Sequence, residues 1–189
     1  MENFYEIEYL KKDFTSSSFL VALYESCVFE DCNFEGIDLT DSKFHACVFK
    51  GCNLSNATLL NVQFQDVELS DCKLLGLHFN DCNQMLLEFN FHNCKLSHSS
   101  FYQLKLEGIQ FIHCDLQAVD FEEVLLSKAV FDQCSLQDAR FSGADLRGAD
   151  MKTSYGFTIH PEEVKLKGAK FSSSNIAGLL SHTQIHIED

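Results

Sequence analysis

Residues 129–151 read AVFDQ CSLQD ARFSG ADLRG ADM when cut every five residues. Each unit opens on a small residue (Ala129, Cys134, Ala139, Ala144, Ala149) and places a large apolar residue third (Phe131, Leu136, Phe141, Leu146, Met151). A period of five matches neither the 3.6-residue stripe of a helix nor the two-residue alternation of a half-buried strand. The stretch therefore reads as an internal repeat.

Working outward, the same period covers most of the chain. Phe14, Phe19, Tyr24, Phe29, Phe34, Leu39, Phe44, Phe49, Leu54, Leu59, Phe64, Leu69, Leu74 and Phe79 form one series. A second starts at Leu86 and runs through Phe91, Leu96, Phe101, Leu106, Phe111, Leu116, Phe121, Leu126, Phe131, Leu136, Phe141 and Leu146 to Met151. The step from Phe79 to Leu86 is seven, which puts two extra residues within 80–85.

A small residue, a polar residue, Leu or Phe, then two polar residues is a pattern that resembles the pentapeptide-repeat family, and ADLRG at 144–148 is close to its consensus. The resemblance implies an all-β solenoid, a right-handed quadrilateral β-helix with four pentapeptides per coil and the Leu and Phe centres turned inward. Twenty residues then make one turn.

The cysteines test that period separately. Cys32, Cys52 and Cys72 are twenty apart, as are Cys94, Cys114 and Cys134, and the step from 72 to 94 is twenty plus the two inserted residues. All six are expected in one column. The same register stacks Phe79, Phe101, Phe121 and Phe141 opposite Phe91, Phe111 and Phe131, with Leu on the faces between. Gly36, Gly51, Gly76, Gly108, Gly143, Gly148 and Gly168 each follow a centre by two residues, the corner position where a positive φ is expected. The only proline, Pro161, lies outside the repeats. Seven coils at the ~4.8 Å strand spacing predict a rod about 34 Å long.

Three segments follow from the pattern. Residues 1–13 keep the phase loosely through Phe4 and Tyr9 and read as an N-terminal cap; 14–151 are the β-helix; 152–189 hold an excursion, a last partial coil at Leu166 and Phe171, and a terminal element. Ser172–Asn175 offer N-cap residues, so 176–184 is expected to form a short C-terminal amphipathic helix, weakened by Gly178, with Ile185 and Ile187 alternating beyond it.

Chemistry is harder to find. The eight histidines never recur at twenty-residue spacing within the repeats, which predicts that none stacks on another, and no ligand motif accompanies them. A column of cysteines presents thiols in a line and not converging on one ion, so the cysteines read as small buried hydrophobes. Cys82, inside the insertion, is expected to be exposed. No catalytic residue, metal site or cofactor is expected, and the chain reads as a non-enzyme. Without an apolar signal segment or an apolar run long enough to span a bilayer, it reads as a cytoplasmic protein with no membrane contact.

Charge is the remaining signal. The 189 residues carry 28 acids against 14 bases, a formal charge of −14, which disfavours nucleic acid or an anionic membrane as direct partners. Residues 13–94 hold 12 acids and 3 bases, and 95–189 hold 13 and 9, so the negative field is expected on the N-terminal half. The candidate partner-binding surface is Glu25, Glu30, Asp31, Glu35, Asp38, Asp41, Asp66, Glu68, Asp71 and Asp81.

The tail GFTIHPEE (156–163), KLKGAKFS and IHIE is similar to the closing segment of the topoisomerase-interacting subgroup that includes the quinolone-resistance proteins of the Qnr type, MfpA and the microcin-immunity protein McbG. That similarity implies a homodimer through the C-terminal helix, with Ile176, Leu179, Leu180, Ile185 and Ile187 at its interface. It also implies a DNA-mimicking rod that binds DNA gyrase or topoisomerase IV and protects or inhibits it. Such a rod would match duplex DNA, which carries one charge per ~1.7 Å. The chain has no long loop interrupting the coils of the kind some Qnr proteins use for protection. The alternative is a general protein-binding scaffold whose acidity serves solubility.

Overall fold

The computed structural model describes residues 2–16, 19–85, 87–183 and 185. The chain winds as a right-handed quadrilateral β-solenoid in which every pairing is parallel. Glu2–Tyr5, Ala22–Glu25, Lys43–His45 and Gln63–Gln65 form a four-stranded sheet. Glu8–Leu10, Val28–Glu30, Val48–Lys50, Val67–Ser70, Phe89–His92, Gln110–Ile112 and Val130–Asp132 form a seven-stranded one. The other two sides are built from isolated parallel bridges such as Asp38 with Thr58 and Asp115 with Ser135.

Each five-residue unit does three things. Its first and third residues point inward, its second and fourth point out, and its fifth turns the corner in the left-handed region. Asp31 (φ 53°), Asp71 (φ 56°) and Gln133 (φ 51°) show that non-glycine residues take that turn as well as glycine does. Gly51 has a second reason: a Cβ there would collide with Asp31 Oδ1 on the coil below. Centre amides bond the neighbouring coil, as in Phe34 N to Asn53 O at 2.7 Å, and amides after corners bond back within their own coil, as in Ala57 N to Leu54 O at 3.1 Å.

Four faces follow. Face 1 carries the centres Phe4, Tyr24, Phe44 and Phe64; face 2 carries Tyr9, Phe29, Phe49, Leu69, Phe91, Phe111 and Phe131. Face 3 carries Phe14, Phe34, Leu54, Leu74, Leu96, Leu116 and Leu136, and face 4 Leu39, Leu59, Phe79, Phe101, Phe121 and Phe141. Rings stack along a face, Phe91 on Phe111 at 5.3 Å and Phe111 on Phe131 at 5.2 Å, and meet edge-on across the interior, Phe111 with Phe121 at 5.7 Å. These are the stacked and T-shaped geometries that ring quadrupoles favour.

The cysteine column lies at the first position of the face 3 units, all six buried. Each thiol donates to a carbonyl of the coil before it: Cys52 Sγ to Phe29 O at 3.2 Å, Cys94 to Leu69 O at 3.3 Å, Cys134 to Phe111 O at 3.3 Å. The site admits only a small side chain and offers an acceptor, which suits a weakly donating thiol.

The insertion is absorbed locally. Asn83 N still bonds Val62 O at 2.9 Å, the offset used elsewhere, whereas Val67 pairs with Phe89 and Lys73 with Lys95, twenty-two residues on. Phe79–Asp81 tightens into a 3-10 turn just before it. Cys82, expected at the surface, is buried at 5% exposure, because that turn folds its side chain under the coil. Leu86, the centre expected to restart the series, lies outside the described residues.

Beyond Met151 the excursion buries Phe157, Ile159 and Val164, then Lys165 and Lys170 pair with Asp145 and Asp150, back in phase. The expected C-terminal amphipathic helix is instead two 3-10 turns, Ile176–Leu179 and Ser181–Thr183. Asn175 explains the difference. Its side chain donates to Met151 O (2.8 Å) and Ser154 O (2.9 Å) and accepts from Ser172 N (2.9 Å), so it fastens the turn to the last coil and cannot cap a helix. Gly178 sits against the ring and carbonyl of Phe157, where no side chain would fit. His186, Ile187 and Glu188, expected to alternate with Ile185, are outside the described residues.

Candidate functional site

The solenoid distributes the ten candidate acids around the rod and does not gather them. Glu25 stands on face 1, Glu30 and Glu68 on face 2, Glu35 on face 3 and Asp38 on face 4. Asp66 turns the corner between faces 1 and 2, Asp31 and Asp71 the corner between 2 and 3, and Asp41 the corner between 4 and 1, where Asp81 ends the 3-10 turn and its carbonyl accepts from Asn61 N. Glu30 is matched by the Lys50 ammonium at 2.9 Å, and Glu25 lies 3.9 Å from the His45 ring. Others hold neutral donors only. Asp41 accepts from Asn61 at 2.6 Å, Asp71 from Asn93 at 2.6 Å, Glu35 from Asn53 at 2.9 Å and Asp81 from Asn80 at 3.0 Å. Hydrogen bonds from the Thr40 hydroxyl and amide hold the Asp38 carboxyl below the usual carboxylate range.

The register brings three further acids onto face 4 that the sequence reading passed over. Ser100, Asp120 and Arg140 pair in succession along it, and Glu122 and Glu123 follow Asp120 outward and to the corner. Face 4 and its corner with face 1 thus carry Asp38, Asp41, Asp81, Asp120, Glu122 and Glu123. Arg140 is their one basic side chain among the described residues, and it is committed to Asp120 (2.8 Å) and Glu122 (3.2 Å). Gln103 donates to Glu123 at 2.8 Å, a neutral contact that leaves the charge in place. By contrast, face 1 and its corner with face 2 mix Glu6, Glu25, Asp66, Glu88, Glu107 and Asp145 with Lys43, Lys105, Lys128, Arg147, Lys165 and Lys167. Charge summed along the chain points to the N-terminal half; charge summed around the rod points to face 4.

The nine cysteines are buried, and burial pushes the Cys47 thiol up to about 12, so that thiol stays protonated near neutral pH. Two histidine pairs meet. His92 and His113, twenty-one residues apart, touch edge-on at 5.9 Å, because a diagonal neighbour on the next coil is as near as one in the same column. This corrects the expectation that no histidines would stack within the repeats. His160 and His182 lie 4.8 Å apart beside the terminal turns. Among the described residues no group of three or more His, Cys, Asp or Glu converges as a metal site would.

At the C-terminal end, Leu179 packs on the core, Leu180 is half-buried, and Ile176 and Ile185 are exposed. Ile187 falls outside the described residues. No helix among the described residues is long and apolar enough to cross a membrane.

The family model described as "Pentapeptide repeat region" matches residues 17–90 and 84–155. The chain belongs to the pentapeptide-repeat family. No curated protein matches it in sequence. Among solved structures, this pentapeptide-repeat protein is similar to a trypsin-treated form of QnrB1, a plasmid-mediated fluoroquinolone resistance protein, at TM-score 0.66 and 18% identity, covering 98% of this chain and 100% of that one. A second trypsin-treated QnrB1 variant gives TM-score 0.63 and 17% identity over 97% and 100%. HetL, a pentapeptide-repeat protein involved in heterocyst differentiation regulation from the cyanobacterium Nostoc sp. strain PCC 7120, gives TM-score 0.48 and 18% identity over 90% and 86%. At these identities the likeness is one of fold.

Proposed function

We propose that this pentapeptide-repeat protein is a non-catalytic binding rod that presents a duplex-like polyanionic surface to a type II topoisomerase, DNA gyrase or topoisomerase IV, and so protects or inhibits it. The observation that carries the reading is the line of carboxylates along face 4, six of them against the single Arg140. They run from Asp38 to Glu123 over four coil steps, about 19 Å at ~4.8 Å per step. Over that length duplex DNA presents roughly 11 phosphate charges at one per ~1.7 Å. An enzyme built to hold duplex is a natural target for such a surface, and the fold shared with the fluoroquinolone-resistance protein QnrB1 agrees with this choice.

The N-terminal candidates Glu30, Asp31, Glu35, Asp66, Glu68 and Asp71 extend the field around the other sides. A second copy docking on Ile176 and Ile185 would double the length of the rod. The target places the protein in the cytoplasm. The test is binding of the purified chain to gyrase and to topoisomerase IV across a salt series, together with a supercoiling assay. Salt-weakened binding that duplex DNA displaces supports the proposal. If neither enzyme is bound at low salt, the scaffold reading takes its place.

A further inference from the structure

Face 4 also exposes apolar side chains among its carboxylates. Leu60 (57% exposed) and Tyr102 (37%) occupy the same outward row two coils apart. Met85 (77% exposed) lies off this row, on the face 1 side: its amide donates to Asn83 Oδ1 (3.0 Å), and Asn83, whose own amide bonds Val62 O, donates to Asn61 Oδ1 (2.9 Å) at the face 4 corner. Asp41, Asp81 and Glu123 run along that corner. Apolar anchors framed by polar and charged groups are the anatomy of a protein-binding surface, and bare duplex mimicry has no use for Leu and Tyr knobs.

Spacing selects the occupant. Two coils place Leu60 and Tyr102 about 9.6 Å apart along the rod at ~4.8 Å per coil. An α-helix laid along the axis repeats the same side of its surface every seven residues, about 10.5 Å, and offers one turn per coil within ~0.6 Å. A β-strand on the same line repeats a face every second residue, ~6.8 Å or ~13.6 Å, and misses the interval. The carboxylates require that helix to be basic. They also exclude a second copy of this chain on the same face, since its own acids would be opposed to these.

We propose that face 4 docks a basic amphipathic α-helix of a partner protein, with apolar residues seven apart seated on Leu60 and Tyr102 and flanking Lys or Arg meeting Asp41, Asp81 and Glu123. This rests on the reading that the rod binds protein through its acidic surface; it does not depend on the partner being a topoisomerase.

The test uses the full chain and a synthetic helical peptide of about 21 residues, three such repeats of ~10.5 Å, with Leu every seventh position and Lys beside each. A scrambled peptide of the same composition is the control, and binding is read by fluorescence anisotropy. The patterned peptide is expected to bind about tenfold or more tightly than the scramble, a difference of ~1.4 kcal/mol. Leu60→Ser, alone or with Tyr102→Ser, is expected to erase that difference with the far-UV circular dichroism unchanged, since both side chains are outside the core. Asp41→Asn with Asp81→Asn and Glu123→Gln is expected to flatten the salt dependence. Equal binding of the two peptides, or full discrimination by both apolar variants, overturns the proposal. Failure of gyrase binding alone leaves it standing, and failure of the peptide with gyrase binding intact removes only it.

Discussion

Replacing Phe111 by alanine tests whether the rod is held by its interior ladder. Phe111 is fully buried, stacks on Phe91 at 5.3 Å and on Phe131 at 5.2 Å, and meets Phe101 and Phe121 edge-on, each at 5.7 Å. Truncating a buried phenylalanine removes its transfer free energy and leaves a cavity, together ~3–5 kcal/mol. The upper half of that range applies here, because backbone ladders above and below fix the coil spacing and resist collapse into the void. Phe111→Leu keeps most of the burial and loses the two stacked pairs, ~0.5–1.5 kcal/mol each, so about 1–3 kcal/mol. Phe171→Ala, at a half-buried ring near the end of the rod, is expected to remove less than either. Urea unfolding followed by circular dichroism orders the three. A Phe111→Ala loss below about 1.5 kcal/mol, or no smaller loss at Phe171, would refute a cooperative stack in which central coils carry two interfaces and terminal coils one.

Further outcomes follow from individual contacts. Asn175→Ala deletes three hydrogen bonds that pin the terminal turns to the last coil; hydrogen exchange at 176–183 is expected to accelerate, with a stability loss of about 1–3 kcal/mol. Arg147 holds Asp145 through bonds of 2.6 and 2.8 Å and lowers its pKa below the usual carboxylate value. That contribution is complete above the unfolded-chain value of ~3.9 and is lost as pH falls through the lower folded value. The urea midpoint of the wild type should therefore drop more steeply between pH 4 and the acid limit than that of Asp145→Asn, and parallel curves would contradict the assignment. All nine thiols, Cys82 included, are expected to react with a thiol reagent only on unfolding; one rapid equivalent in the native protein would return Cys82 to the surface.

Much of this fold was legible because a five-residue period fixes two buried positions at once. Phe131 and Ala129 are both fully buried, and so are Leu136 with Cys134 and Leu146 with Ala144. The corner glycines announced a turn that Ala46, Asn56 and Lys128 make equally, so the turn belongs to the repeat and not to glycine. The ends were less legible. Ser172–Asn175 carries the composition of a helix cap, and only the coil beneath it shows that Asn175 is occupied by Met151 and Ser154. Cys82 looked exposed because sequence gives the length of an insertion and not the direction in which it folds.

The candidate surface failed to be read for a different reason. Asp120, Glu122 and Glu123 lie among the more basic C-terminal residues, where a running sum of charge hides them. Counting modulo twenty, with the two-residue correction after Asn83, sets them on the face that holds Asp38, Asp41 and Asp81. The signal was present in the numbering, and a solenoid is one of the few folds in which it can be extracted without coordinates.

The most direct test of the polyanionic reading is a competition measurement: gyrase holding a labelled duplex, titrated with the full chain and with a variant in which Asp38, Asp41, Asp81 and Glu123 are replaced by Asn or Gln. The account predicts displacement of the duplex by the wild type, weakening as salt rises, and a loss of about tenfold or more for the variant with its circular dichroism unchanged. Displacement by both proteins alike, or by neither at low salt, would contradict it.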